Sequence, residues 1–248
     1  MPHRFGRVLR GALTASGLIG LTASSGIAMV VEAIGDQIVM SGPVEYGDNV
    51  KLERLLNENP QITTVILRDS LGGKLDPGQF VSNMIRTRGL RTAVSGYCAS
   101  ACALMYLGGV ERAITNEKPA GLTYIGLHGA SDSQTHTVLP WKAAELQDWI
   151  NAYTGNKFDK ELLRKITKNA RGLTYIYDSE RLRRADKVSV FVCQGDEKKK
   201  PVDCEKIAGM TGYDQGVFTS KELVRVNKPD PNAPKAKSES VQSRLNDQ

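Results

Sequence analysis

The chain reads as an α/β protein with mostly parallel strands, and three observations say so. Between residues 37 and 128, short apolar β-type runs alternate with helical patterns, the order expected of strands joined by crossover helices. Thr63-Thr64-Val65-Ile66-Leu67 is continuously apolar toward its end, as a strand covered on both faces of a parallel sheet should be. The stretch GYCASACALMYLGG, residues 96–109, passes from turn chemistry into an Ala/Leu/Met/Tyr run of good helix formers, with Ser100 at the junction. Sites in such folds are expected at the carboxyl ends of the strands.

Taken in order, Gln37 to Gly42 is a first strand ending at a glycine turn. Val50 to Leu56 is a helix: Leu52, Leu55 and Leu56 recur at helical spacing, Asp48 or Asn49 can cap it, and Asn59-Pro60 stops it. After the strand at 63–67, Asp69-Ser70-Leu71-Gly72-Gly73 is a strand-end turn into a helix that begins near Asp76-Pro77 and runs to Arg88-Gly89. Arg91 to Val94 is the next strand, with Ser95-Gly96 as its turn and Ser100 in the first turn of the following helix. Arg112 to Thr115 and Tyr124 to His128 are further strands, and residues 141–155 and 159–170 are two helices. Tyr175-Ile176-Tyr177 precedes Asp178, expected to stand before a short helix through Leu182 and Ala185, and Val188 to Val192 is a late strand.

Residues 1–28 have the three-part order of a secretory signal: basic Arg4, Arg7 and Arg10, an uncharged run from Gly11 to Thr22, then small residues up to Ala28. Export is expected, into the periplasm, with cleavage after Ala28 or after Ala33. The alternative is an uncleaved anchor, since Gly11 to Val31 carries no charge and is about long enough to span a bilayer, although rich in Gly, Ser and Thr. The folded domain is then expected over 34–226. A Pro/Lys/Ser/Asn-rich tail at 227–248 has little to bury and should be disordered.

The formal charge of +6 overstates the mature surface. Without the three arginines of the leader, the 33 basic residues become 30 against 27 acidic ones. With no aromatic-plus-basic motif either, nucleic acid is not an expected partner. Four cysteines suit an oxidising compartment. Cys193 and Cys204 flank a polar loop and would close it as a disulfide. Cys98 and Cys102, four apart, would share a helix face either bonded or as two small buried hydrophobes. No cysteine spacing suits zinc, and the Gly72-Gly73 turn lacks the longer glycine pattern and Lys-Ser/Thr pair of a phosphate loop, so neither a metal nor a cofactor is expected.

Ser100, at a helix start between small residues, is either an N-capping serine or a nucleophile. Of the three histidines, His3 lies in the leader and His136 in a polar loop, which leaves His128 as the candidate base. Lys74 offers a lysine instead, but no spacing brings its amine to Ser100.

Taken together, DSLGGKLDPGQFVSNMIRTRGLRTAVSGYCASACALMYLGG followed by YIGLHGA resembles the Clp protease and crotonase superfamily, in particular its exported Clp-protease-like branch, over about residues 37–190. The resemblance implies a stacked ββα-repeat architecture and a serine peptidase-like hydrolase acting on an amide or ester bond of a peptide or protein. By position, Ser100 matches the nucleophile, His128 the general base, and the amides of Gly72 and Ala101 the oxyanion donors. Asp178 follows His128 at close to the family's interval for the third triad residue, while aligning the downstream helix favours Thr174. The family's Ser-Pro-Gly-Gly turn is Ser70-Leu71-Gly72-Gly73 here. The resemblance also allows a homo-oligomer, an inactive binding or assembly module, or crotonase-like chemistry on acyl thioesters, which export disfavours.

Overall fold

The computed structural model describes residues 28–119, 122–132, 135, 137–168, 188–192 and 204–229, and the backbone of 174–178. The leader, His136, the expected helix after Asp178, Cys193 and the tail beyond residue 229 lie outside the described residues.

A hairpin opens the fold. β1 (Val30–Ile34) pairs antiparallel with β2 (Gln37–Ser41), Ile34 opposite Gln37, and Gly35 at φ 65° supplies the tight turn between them. The domain therefore starts before residue 34, because Met29 is buried in the core and Val30–Ile34 is a strand. Cleavage after Ala33 would remove β1; cleavage after Ala28 would leave it whole.

α1 (Asp48–Glu58) and β3 (Thr64–Ser70) follow, then α2 (Leu75–Thr87) and β4 (Arg91–Ala99). The α1 face carrying Leu52 and Leu56 and the α2 face carrying Val81 and Ile85 are buried on one side of the sheet. Burying each such side chain contributes about 1.5–3 kcal/mol. α3 (Ala101–Leu107), β5 (Arg112–Ile114), β6 (Tyr124–Leu127), α4 (Pro140–Tyr153) and α5 (Lys160–Thr167) complete the helical layer and the central strands. β2, β3, β4, β5 and β6 run parallel, as the sequence pattern predicts. β7 (Thr174–Asp178), β8 (Val188–Val192) and β9 (Glu205–Thr211) extend the sheet antiparallel beyond β6.

β4 departs from the expectation that it ends at Val94. It runs nine residues, through Ser95-Gly96, and changes neighbours there: Thr92–Val94 pair with β5, Tyr97–Ala99 with β6. Gly96 permits this. It sits at φ 74° beside a bulge at Asp69, and a Cβ on it would lie 1.9 Å from Asp69 Oδ1. The extension carries the chain to the carboxyl end of β6, so Ser100 and His128 arrive at one edge of the sheet.

The other face of the sheet is closed by the chain's last described stretch. Val224 N–H donates to Ile114 O at 2.8 Å, and Val224 packs with Val39, Ile66 and Ala93. Arg112, buried with no carboxylate partner among the described residues, donates hydrogen bonds from its guanidinium to the carbonyls of Gly109, Gly216 and Val217, and burial lowers its pKa to about 10. Asn227, which the sequence pattern puts at the head of the tail, is bonded to Gln37 and to Ile34 O. Cys204 is disulfide-bonded, while its expected partner lies outside the described residues.

Candidate active site

Three strand ends meet at this edge. β3 leads into the Gly72-Gly73 turn, β4 into Ser100 and α3, and β6 into His128. Ser100 holds the N-cap position of α3, yet its side chain makes no capping bond and its backbone sits at φ 56°, ψ −127°. For a residue with a Cβ this conformation costs on the order of 1–3 kcal/mol, and it persists only where the surroundings over-determine it. Here they do. Ser100 N–H donates to Gly126 O at 2.9 Å, its carbonyl accepts from Leu104 N–H at 3.3 Å, and Gly72 is packed so closely behind it that a Cβ there would fall 2.6 Å from Ser100 Cβ and 2.8 Å from Ala101 N. Gly72 itself is at φ 91°, so glycine is needed twice over.

Cys98 and Cys102 do not share a helix face. Cys98 is in β4 and Cys102 in α3, and their disulfide spans the turn with Ser100 at its centre, Cα to Cα 5.2 Å. The four-residue spacing reads as helical only if the strand is assumed to end earlier than it does.

His128 is one residue beyond β6, where Ala99 is the register partner of Gly126, so parallel pairing sets it beside the Ser100 turn. Its Nδ1 is 2.8 Å from Gly129 O. A carbonyl only accepts, so Nδ1 carries a proton. Ser100 and His128 line one small cavity of about 20 Å³, room for little more than a water. Its other walls are apolar: Leu75, Leu104, Leu127, Leu146 and Ile150.

Sequence reasoning missed the contribution of α4. Leu146 and Ile150 recur at four-residue spacing, and Lys142 one turn earlier lies on the same stripe. The Lys142 ammonium is 2.9 Å from Glu145 and 3.7 Å from Asp76, and its hydrogen bond to Glu145 raises its pKa. It is therefore held charged and is no base at neutral pH. Lys74 is exposed at the start of α2.

The expected oxyanion donors are neighbours but unequal. Ala101 opens α3, so its N–H has no acceptor within the helix. Gly72 N–H instead donates to Ser70 Oγ at 3.2 Å. Asp178 is not brought to the site. β7 runs antiparallel to β6 with Thr174 opposite Leu127 and Tyr177 opposite Tyr124, which leaves Asp178 at the far end, roughly 14–17 Å along the strand from His128. Thr174 occupies the end adjoining His128. Among the described residues no cluster of three His, Cys, Asp or Glu side chains is arranged to hold a metal, and no helix is long and apolar enough to cross a membrane.

No protein-family model matches the sequence, and no curated protein matches it. Solved structures do. A serine-to-alanine mutant of the 1510-N membrane-bound stomatin-specific protease is similar at 15% identity and a TM-score of 0.41, over 52% of this chain and 66% of that one. A lysine-to-alanine mutant of the same protease in complex with a substrate peptide gives 16%, 0.41, 52% and 63%. ClpP1 from Listeria monocytogenes gives 16% identity and a TM-score of 0.42, over 54% of this chain and 80% of its own. The chain thus spans just under two thirds of the length of the stomatin-specific protease. The chemistry has to be read from the site's own residues.

Proposed function

We propose that the protein is an exported serine hydrolase that cleaves an amide or ester bond, with Ser100 as nucleophile and His128 as general base. The observation that carries this is the Ser100 turn: a serine in the capping position of a helix that does not cap, held at positive φ, opening into the same cavity as a histidine. A sharp strand-to-helix turn of this kind presents a nucleophilic hydroxyl away from its own backbone.

In the reaction, His128 Nε2 takes the hydroxyl proton as Ser100 Oγ attacks the carbonyl carbon. The imidazolium keeps its Nδ1–H on Gly129 O. The oxyanion is met by Ala101 N–H, with Gly72 N–H as second donor once it leaves Ser70. The proton then passes from Nε2 to the leaving amine or alcohol, and water repeats the sequence to release the acid. Processing after Ala28 fits this reading, since it spares β1 and the buried Met29.

A fluorophosphonate probe tests it. It should label the oxidised, mature protein at Ser100, with His128→Ala slowing labelling by about 10²-fold or more. No label on folded protein would favour a second reading, a non-catalytic binding or assembly module. One observation supports that alternative: Gly72 N–H is turned to Ser70 Oγ, so the oxyanion pair is not assembled in this conformation.

A further inference from the structure

We propose that the Cys98–Cys102 disulfide is a positioning element for Ser100, so that the oxidation state of these two cysteines sets whether the serine is a competent nucleophile. The proposal rests on the serine hydrolase reading and goes beyond it, because it makes activity conditional on a bond that takes no part in the chemistry.

The placement argues for it. The two cysteines stand two residues either side of Ser100, one on the strand and one on the helix, and both are fully buried. On the strand side, Ser100 is also held by its N–H bond to Gly126 O and by the backbone of Gly72. On the helix side Ala101 packs closely against Gly72 and Gly78, Leu104 N–H donates to Ser100 O at 3.3 Å, and the disulfide adds a covalent tie from Cys102 back to the strand. Cutting the disulfide removes the covalent tie across the turn and leaves the positive φ to be held by these hydrogen bonds and packing contacts alone.

A relaxed state is ready to receive it. At negative φ, Ser100 is an ordinary N-cap, its hydroxyl able to accept from the open first-turn amides of Cys102 or Ala103. In that state Oγ serves the helix and turns from the cavity it shares with His128. The turn thus has two arrangements of the same atoms, one reactive and one capping, and the covalent bond selects the reactive one. Reduction by a dithiol passes two electrons and two protons to the S–S bond, leaving two protein thiols and the cyclic disulfide of the reductant. Oxidation reverses the exchange. Because both sulfurs are buried, the exchange has to wait for the turn to open, which keeps the enzyme active once it has been oxidised.

The test separates binding from chemistry with a fluorophosphonate probe at increasing concentration, giving KI and the limiting rate kinact for Ser100. In a Cys98→Ala/Cys102→Ala variant that keeps its far-UV circular dichroism, kinact should fall by at least about tenfold with KI unchanged, since misplacing a reacting atom costs rate and not affinity. Dithiothreitol should lower kinact of the wild type to the same degree, reoxidation should restore it, and the double variant should not respond. A folded double variant, or a reduced folded wild type, that labels at the oxidised rate overturns the proposal. So does loss of the whole fold in both arms, which would make the bond a general staple. No labelling of oxidised wild type is a different result: there the hydrolase reading itself fails.

Discussion

Asp159 stands before α5 at φ −60°, ψ 122°, and its carboxylate accepts from Leu162 N–H at 2.7 Å. Ser100 stands before α3 at φ 56°, ψ −127°, and its hydroxyl accepts from no amide of the helix. Both residues belong to the class that caps helices well. One spends its side-chain oxygen on the helix and gains stability. The other withholds it, in a backbone conformation that costs energy, and faces a histidine across a cavity. The difference teaches that the residue type at a helix start does not reveal its use; the backbone angle does.

The largest effect expected from this contrast is at Ser100 itself. Ser100→Ala and Ser100→Gly should both abolish labelling and hydrolysis, by about 10³-fold or more, as loss of a nucleophile does. Their stabilities should differ in a telling way. Glycine accepts positive φ without a Cβ penalty, so Ser100→Gly should stay within about 1 kcal/mol of wild type in denaturant unfolding, the relieved strain offsetting the entropy of the extra glycine. A loss of 1–2 kcal/mol of the kind a broken cap causes would mean that the two helix starts are alike after all.

Next in size is the support behind the turn. Gly72→Ala would set a Cβ 2.5 Å from Ala99 O, 2.6 Å from Ser100 Cβ and 2.8 Å from Ala101 N, none of which can swing aside as a flexible side chain would. It should destabilise by about 2–4 kcal/mol, overpacking added to the cost of an unfavourable φ. Gly155→Ala is the matched control: φ is 67°, but nothing lies within 4 Å, so only the backbone cost of about 1 kcal/mol should appear in thermal unfolding. Equal effects at the two glycines would remove the argument that Gly72 braces Ser100.

What the sequence made legible follows from how local each signal was. Ser100 and His128 stand at strand ends that apolar runs and small residues mark, and the parallel core follows from continuous apolar strands. Gly96 misleads because glycine marks both turns and bulges, and here its positive φ lets β4 continue. That one misreading also hides the disulfide geometry, which depends on Cys98 being in the strand. β1 is hidden for another reason: Val30 to Ala33 reads equally as the end of a leader and as the start of a hairpin. The closing segment at Val224 and Val226 is short, flanked by charge, and gains its order from pairing with β5 and packing against the strands behind it.

Asp159→Ala should show the ordinary cost of losing a cap, about 1 kcal/mol by thermal unfolding, with Ser100 labelling unchanged. A loss of labelling there would mean that α5 acts on the site, although none of its residues lines the cavity.

The smallest expected effect is none at all, and it concerns Asp178. By chain interval this carboxylate suits the third member of a triad, but interval does not fix register when two helices intervene between the strands. β7 returns antiparallel along β6, and the return sets Thr174 beside Leu127 while carrying Asp178 past Tyr124 to the opposite end of the pair. At His128, meanwhile, Nδ1 already donates to Gly129 O. Asp178→Asn should therefore label at Ser100 within about twofold of wild type, where loss of an orienting carboxylate costs on the order of 10⁴-fold. The measurement is the second-order labelling rate at neutral pH on oxidised protein of both forms. A drop of tenfold or more would put the Asp178 carboxylate at the imidazole, and the β6–β7 register, rather than the assignment of Ser100 and His128, would have to be redrawn.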